Sequence, residues 1–547
     1  MQPRHLAVAT VVALASELHA DAAALVFNHE WTFSHTAATG SKSLGSEIVA
    51  FDSQNQRLWV VGTDANAGNK GFGGIDVLDL NGNLIHTIDT TLIGGVNSVA
   101  VKNGQAAVAF TAPVKTDAGV VRFYEAGSFG LQSEVRVGAN PDSVIYTPDG
   151  SRLLVANEGE PITYPGADPE GSISLINTAT FTSQTADFSA FNGQAAALAS
   201  AGVRLNGPGA TVAQDLEPEY IAVSADGTTA YATLQEANAL ARIDIGSATV
   251  TAIVPMGTKD HNLPGNGLDA SDRDGTGNQP KVGNILNWKA EGLYMPDGVA
   301  SLVKNGNQFY VTANEGDDRN DWGPDDVVRV SDLPASAFDS TLNNSLIAAH
   351  GADWRTNNDK LSRLNISLTG DTDNDGDLDV LQPIGARSFS ILDANGQIVF
   401  DSGDQIEQIV KAQFPSLWDD SRSDNKGPEP ESVTLGNVGG RDLLFVGLER
   451  SNAVMVWDLT QFQGSSSDQI KFVEMLFAPG DVGPEGLSFF NTPQGSFLAV
   501  ANEVSETTSL FRISIPDGGS SLVLAGISFA SLLGFSRRLR PEPTTAR

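Results

Sequence analysis

The sequence predicts an all-β chain folded as a seven-bladed β-propeller with long inserted loops, although six or eight blades would also fit its fainter repeats. Three observations predict it. One unit recurs: Pro, an acid, a small or aromatic residue, an aliphatic, a turn, a β-run, then Asn-Glu or a relative of it. The β-runs are alternating or wholly apolar and are joined by Asp-Gly and Asn-Gly turns, which is the hairpin signal. No long amphipathic helical pattern crosses the middle of the chain, while glycine is abundant at 56 residues and aromatics are sparse at 7%. One blade cannot bury both faces of its sheet, so such units stack around an axis and close.

The copies follow in order. Two faint ones come first: Glu47-Ile48-Val49 leads to RLWVVG and IDVLDL, and Asn97-Ser98-Val99 leads to QAAVAF and VVRFY. The clearest copy is Pro141-Asp142-Ser143-Val144, the turn Pro148-Asp149-Gly150, then LLVA into Asn157-Glu158-Gly159. It returns as Pro218-Glu219-Tyr220-Ile221, the turn Ala225-Asp226-Gly227, then AYATL into Gln235-Glu236. Pro296-Asp297-Gly298-Val299 runs through FYVTA into Asn314-Glu315-Gly316. Pro430-Glu431-Ser432-Val433 runs through LLFVGL into Glu449-Arg450, and Pro484-Glu485-Gly486-Leu487 through FLAVA into Asn502-Glu503. A further strand closes most units, as in SISLI (172–176), ALARIDI (239–245), AVMVWDL (453–459) and SLFRISI (509–515). Insertions at about 178–217, 246–295 and 317–387 are too long for hairpin loops and mark functional or irregular segments. The second is rich in Gly, Asn and Asp and reads as irregular; 331–349 reads as partly helical.

Both ends carry signals. A short start with Arg4, the apolar run Leu6–Ala15 and the small-x-small site Ala20-Asp21-Ala22 form a secretory leader, too short to span a bilayer. Cleavage is expected after Ala22, with Ala20 and Ala24 as neighbouring choices and a buried N-terminal strand as the alternative. At the other end Ile515-Pro516-Asp517-Gly518-Gly519 precedes the apolar stretch 522–535 and then Arg537, Arg538 and Arg540. This tail resembles the bacterial PEP-CTERM sorting signals of the VPDSG or VPDGG type, which implies an exosortase-type processing enzyme. A plain membrane anchor is the alternative, with its basic cluster on the cytoplasmic side. The expected organisation is a signal peptide over 1–22, a propeller over 23–513 and a sorting signal or anchor over 514–547.

Composition agrees with export to the cell envelope, the cell surface or the exterior. The chain has 66 acidic and 33 basic side chains, a formal charge of −33, which disfavours nucleic acid and anionic lipid as partners. With no cysteine, disulfides, zinc-thiolate sites and cysteine nucleophiles are excluded. A monomer is expected.

Two constellations could carry chemistry. Asp371, Asp373 and Asp375, followed by Gly376, Asp377 and Asp379, place carboxylates at alternate positions ahead of a sharp turn, the front of an EF-hand-type calcium loop. Asp377 would offer its carbonyl and Asp379 a direct or water-mediated contact. The twelfth position is Gln382 where a bidentate Glu is usual, so affinity should be modest, and a merely solvated turn is the alternative. The second constellation is the repeated acids. Asp142, Glu219, Asp297, Glu431 and Glu485 should ring one mouth of the channel, with Glu158, Glu236, Glu315, Glu449 and Glu503 as a second layer beside Asn157, Asn314 and Asn502. Crowded like charges need pairing, protonation or a cation. The plainer alternative is that they accept backbone N–H bonds and tie blade to blade. No Gly-x-Ser-x-Gly elbow and no His-Glu-x-x-His is present, and Asp260-His261-Asn262 is assigned no role.

The runs Gly385–Asp393, Val399–Gly403, Asp424–Glu431 and Phe445–Arg450, with Asn157-Glu158-Gly159-Glu160 and Asn314-Glu315-Gly316-Asp317, resemble the choice-of-anchor I family. The similarity runs from about Gly45 to Ile513. It implies a bacterial surface protein related to the mesenchyme-specific cell-surface glycoprotein. Some members carry an alkaline phosphatase label, but the resemblance supplies no catalytic residues. Two functions are therefore expected to compete. One is a non-catalytic surface or matrix module that binds calcium and a glycan, polymer or protein. The other is a calcium-dependent alkaline phosphatase or phosphodiesterase using channel carboxylates.

Overall fold

Short apolar runs bounded by Gly, Asn and Asp form strands in the order the repeats specify. The computed structural model describes residues 24–36, 45–63, 73–90, 93–164, 166–319, 323, 325–373, 375–464 and 470–516. The chain divides into two units, one of residues 27–512 and one of the terminal segments 1–26 and 513–547. The expected leader and the expected C-terminal signal beyond Pro516 lie outside the described residues.

Seven four-stranded sheets follow one another along the chain. Their inner strands are Ile48–Asp52, Val96–Lys102, Pro141–Tyr146, Ile221–Val223, Val299–Lys304, Pro430–Val438 and Pro484–Thr492. Each inner strand lies against those of the blades before and after it, and the seventh meets the first, so the ring closes. The last blade is completed on its outer edge by the N-terminal strand Val26–Ser34, paired with Thr507–Ser514. This closure joins chain ends that no repeat connects. Outer strands such as Leu84–Asp89 and Ser183–Asp187 are short and exposed, which hid them in the repeat pattern. The insertions expected to start at 178 and 246 consequently start later, because Ser183–Asp187 and Thr249–Pro255 are blade strands.

The core lies between blades. Trp59, Ile75 and Val77 of the first blade pack on Val96, Val108 and Phe110 of the second, and Phe389 and Ile391 of the fifth on Val446, Met455 and Trp457 of the sixth. Between the first and seventh blades Phe51 stacks on Phe490 at 3.8 Å between ring centroids.

Strand direction decides where the loops emerge. Inner strands start at one end of the axis, second strands return to it, and third and fourth strands repeat the trip. Connections between second and third strands, and from one blade to the next, therefore all lie at the end where the Pro-acid step sits. Tight turns such as 148–150 and 225–227 occupy the other end. All three insertions open onto the acidic face. The second and third pack into one additional core around Leu268, Trp288, Phe338, Leu346, Trp354 and Leu381. Within it the expected helix is Ser340–His350, capped by Asp339, whose side chain accepts from the N–H groups of Thr341 and Leu342. The second insertion is irregular as expected, apart from Thr258–Asp260 paired with Glu291–Leu293.

Candidate functional site

A β-bulge opens the inner strand at the acidic step. Register slips between Pro141 and Val144, between Pro430 and Val433, and between Pro484 and Leu487, so Asp142, Glu431 and Glu485 each sit inside a bulge. Bulges re-aim side chains, and here they turn the acids of successive blades toward the axis. The residue ahead of the proline is left-handed in four blades: Asn140 (φ 46°), Met295 (φ 46°), Glu429 (φ 53°) and Gly483 (φ 69°). In three of them the carbonyl accepts from the second layer: Glu158 N–H donates to Asn140 O at 3.0 Å, Glu449 N–H to Glu429 O at 2.9 Å and Glu503 N–H to Gly483 O at 2.8 Å. One strained turn thus fixes both layers.

The structure brings the predicted ring together and extends it. Glu219 feels the charges of Asp297 and Asp142, Glu431 that of Asp297, and Glu485 those of Glu431, Asp297 and Glu47. Glu47 is the equivalent residue of the first blade; the second blade has Asn97, whose Nδ2 donates to Thr111 Oγ1 at 2.8 Å and Pro141 O at 3.1 Å. The phenol of Tyr220 lies among Glu485, Asp297, Asp142 and Glu431. Burial, reinforced by these neighbours, holds Glu219, Asp297, Glu431 and Glu485 well above the usual carboxylate range. Burial lifts Asp142 to about 6, with Lys115 opposing.

The second layer stacks on the first, blade by blade. Burial, then Asp142, pushes Glu158 up to about 8, and burial with Glu315 and Glu429 nearby lifts Glu449 to about 7. Burial also raises Glu236, Glu315 and Glu503, each opposed by a cation: Arg319, Lys426 and Arg450 respectively. The asparagines are structural. Asn157 Nδ2 donates to Ser172 O at 3.0 Å and Ser174 Oγ at 3.1 Å, and Asn314 Nδ2 to Ser388 Oγ at 3.1 Å and Ser390 Oγ at 2.9 Å. They stitch the second strand to the third and do not face the channel acids.

Repeat reasoning missed the cations: Lys426 and Arg422 come from the connection ahead of the sixth blade, Arg319 and Arg204 from insertions, and Arg450 from the turn after the sixth blade's second strand. Lys426 Nζ lies 2.6 Å from Glu315 Oε1, 3.4 Å from Glu429 Oε2 and 3.8 Å from Asp317 Oδ1. Arg422 Nε and Arg450 Nε also reach Glu429, at 2.5 and 3.3 Å. Burial alone would raise Glu429, yet Lys426, Arg422 and Arg450 together hold it below the usual range. Oxygens of Glu315, Glu429 and Glu449 come within 4.8 Å of one another, as a metal would require, but Lys426, Arg422 and Arg450 already lie against them. Arg319 pairs with Asp215 and lies 3.7 Å from Glu217 Oε2, and Arg204 donates to Glu236 O at 2.9 Å. The doublets Glu217-Pro218-Glu219 and Glu429-Pro430-Glu431 were the available signal that a further acid precedes the proline. His261 is buried, with Nδ1 2.6 Å from Asn266 O, and burial pushes it down to about 3. It is a neutral structural residue.

The acidic loop closes as its spacing predicts. Oxygens of Asp371, Asp373 and Asp375 lie within 4.8 Å of one another. Asp371 accepts from the N–H groups of Asp375 at 3.2 Å and Gly376 at 3.0 Å, and Gly376 takes a φ of 102° that favours glycine. Asp379 accepts from Thr372 N at 2.8 Å and Oγ1 at 2.7 Å, which holds it below the usual range. Some burial, then Asp375 and Asp379, raises Asp373; some burial and Asp375 raise Asp377. Gln382 turns away, its Oε1 accepting from Thr369 Oγ1 at 3.2 Å. The donors that remain are hard carboxylate oxygens, a set that fits calcium. The loop is anchored to the insertion core through Leu378, whose N–H donates to Ala337 O and whose carbonyl accepts from Asp339 N, both at 2.9 Å.

The model of the choice-of-anchor I domain matches residues 47–462. Among curated proteins, Gigasin-3a of Magallana gigas is 33% identical over 111 residues, 18% of this chain and 39% of that protein. The mesenchyme-specific cell surface glycoprotein of Strongylocentrotus purpuratus is 26% identical over 147 residues, 24% of this chain and 18% of that one. The matched stretches thus span well under half of either relative. Among solved structures, Kuenenia stuttgartiensis hydrazine synthase aligns with a TM-score of 0.47 at 12% identity over 87% of this chain and 97% of its own. The Neurospora crassa Pan2 WD40 domain gives 0.43 at 11% identity, over 90% and 96%. Likenesses this slight add nothing to a fold that the strand order already establishes.

Proposed function

Because the chain belongs to the choice-of-anchor I domain family, whose model covers residues 47–462, we propose that it works as an exported, non-catalytic display module. Its likeness to a cell surface glycoprotein supports a place at the cell surface. The observation that carries the reading is topological. Every long insertion opens on one end of the propeller, and two of them share a separate core of their own. Such an elaborated, rigid face suits binding of a glycan, polymer or protein. The loop of Asp371, Asp373 and Asp375 takes one calcium ion there and stiffens the third insertion. Export machinery and an exosortase-type enzyme would process the ends.

Calorimetry with calcium, beside a phosphoesterase panel run with and without calcium on the same purified protein, tests this. One calcium per chain and no turnover are expected. Calcium-dependent turnover would overturn the non-catalytic reading.

A further inference from the structure

The channel mouth gathers more carboxyl groups than the protein itself pairs. Glu219 is 7% exposed and its Oε2 has no hydrogen-bond partner. Oε2 of Glu431 and Oε2 of Glu485, in the sixth and seventh blades, are likewise buried without a partner. A buried carboxylate oxygen left unpaired is costly. The groups that act most on Glu219 and Glu485 are all acids, whereas in the second layer Lys426, Arg319 and Arg450 offset the charge. Glu431, Glu485 and Tyr220 are half-buried, so solvent reaches the ring from the channel.

The spacing narrows the ligand. Among the described residues, no three ring acids bring oxygens within 4.8 Å of one another, as Asp371, Asp373 and Asp375 do. A bare metal ion needs such convergence. Charges spread around an axis match instead a slender chain with several cationic groups, and an aromatic ring beside them favours an organic ammonium. We propose that the channel mouth binds a linear polyamine, its ammonium groups meeting Glu219, Glu431 and Glu485 in turn beside Tyr220. The site is independent of the calcium loop.

Isothermal calorimetry of the full mature chain with spermidine tests this, with circular dichroism as the folding control. One spermidine per chain is expected. Glu219→Gln and Glu485→Gln should each weaken it about ten-fold, the scale of one charge-assisted hydrogen bond. Tyr220→Leu should weaken it while leaving the acids in place, and Asp373→Ala should change nothing. The double variant E219Q/E485Q removes two charges of a large excess, so unchanged spermidine affinity there would reveal diffuse surface attraction and overturn the site. Absence of spermidine binding by folded protein would overturn it too, as would calcium competing at the ring with a stoichiometry that E219Q abolishes.

Discussion

Lys426 Nζ stands 2.6 Å from Oε1 of Glu315, so a lysine outside the repeats neutralises a glutamate that the repeats place. The same ammonium reaches Glu429, which Arg422 and Arg450 also hold, so its removal strands Glu315 above all. Losing one partner of a buried pair costs about 3–5 kcal/mol. Lys426→Met is expected to lower the urea midpoint by that equivalent, and adding Glu315→Gln to recover part of it. Exposed Lys411→Met is the reference and should be near neutral. Equal effects of the two lysine variants would refute the pairing role.

Stability should fall with rising pH. In the fold Glu158 is raised from 4.5 to about 8, Glu449 from 4.5 to about 7 and Asp142 from 3.8 to about 6. The native state therefore holds more protons than the unfolded chain across this window. The contribution is complete below the unfolded values and is lost as pH passes through about 6 to 8. Each group adds a slope of at most about 1.4 kcal/mol per pH unit. Glu429, held low, contributes oppositely, and only in acid. Urea midpoints should drop between about pH 5 and 8.5, less steeply in Glu158→Gln. A midpoint that rises over this range would contradict the buried-acid account.

The ring was legible because equivalent positions of a closed propeller are related by rotation, and the Pro-acid step is short and local. The convergence of Asp371, Asp373 and Asp375 was legible because they are neighbours in sequence. The partners of the second layer were not: Arg319 and Arg204 reach it from insertions that repeat nothing, and Lys426 from the connection ahead of the sixth blade. The shared core of Leu268 and Trp288 with Phe338 and Trp354 was hidden for the same reason, since it joins two insertions far apart in the chain. The closing strand Val26–Ser34 is half polar and lies beyond any repeat, so only tertiary pairing reveals it.

Calcium should leave the acidic loop in Asp373→Ala/Asp375→Ala. The two side chains supply two of the three converging carboxylates, so one calcium per chain should be lost in calorimetry. Because Leu378 ties the loop to the insertion core, proteolysis near 331–387 should speed up while the propeller's circular dichroism is kept. Unchanged calcium stoichiometry would dispose of the site.

Processing should remove both ends. Intact mass of protein recovered from its host is expected to correspond to a chain that begins near Ala23 and lacks the segment after about Asp517. Retention of 522–540 would leave a plain membrane anchor in place of a sorting signal.

Hydrolysis is the sharpest test of the display reading. A metal-dependent phosphoesterase needs carboxylates that converge on a metal, which then clamps phosphate and activates water. Near the channel the acids that converge are Glu315, Glu429 and Glu449, and Lys426, Arg422 and Arg450 already lie against them. The ring acids lack that convergence among the described residues. Turnover of p-nitrophenyl phosphate with calcium, magnesium or manganese should therefore stay at background, and Glu431→Gln and Glu449→Gln should leave it there. If robust turnover appears and falls by orders of magnitude in Glu431→Gln while the fold persists, the ring is catalytic and the display reading is wrong.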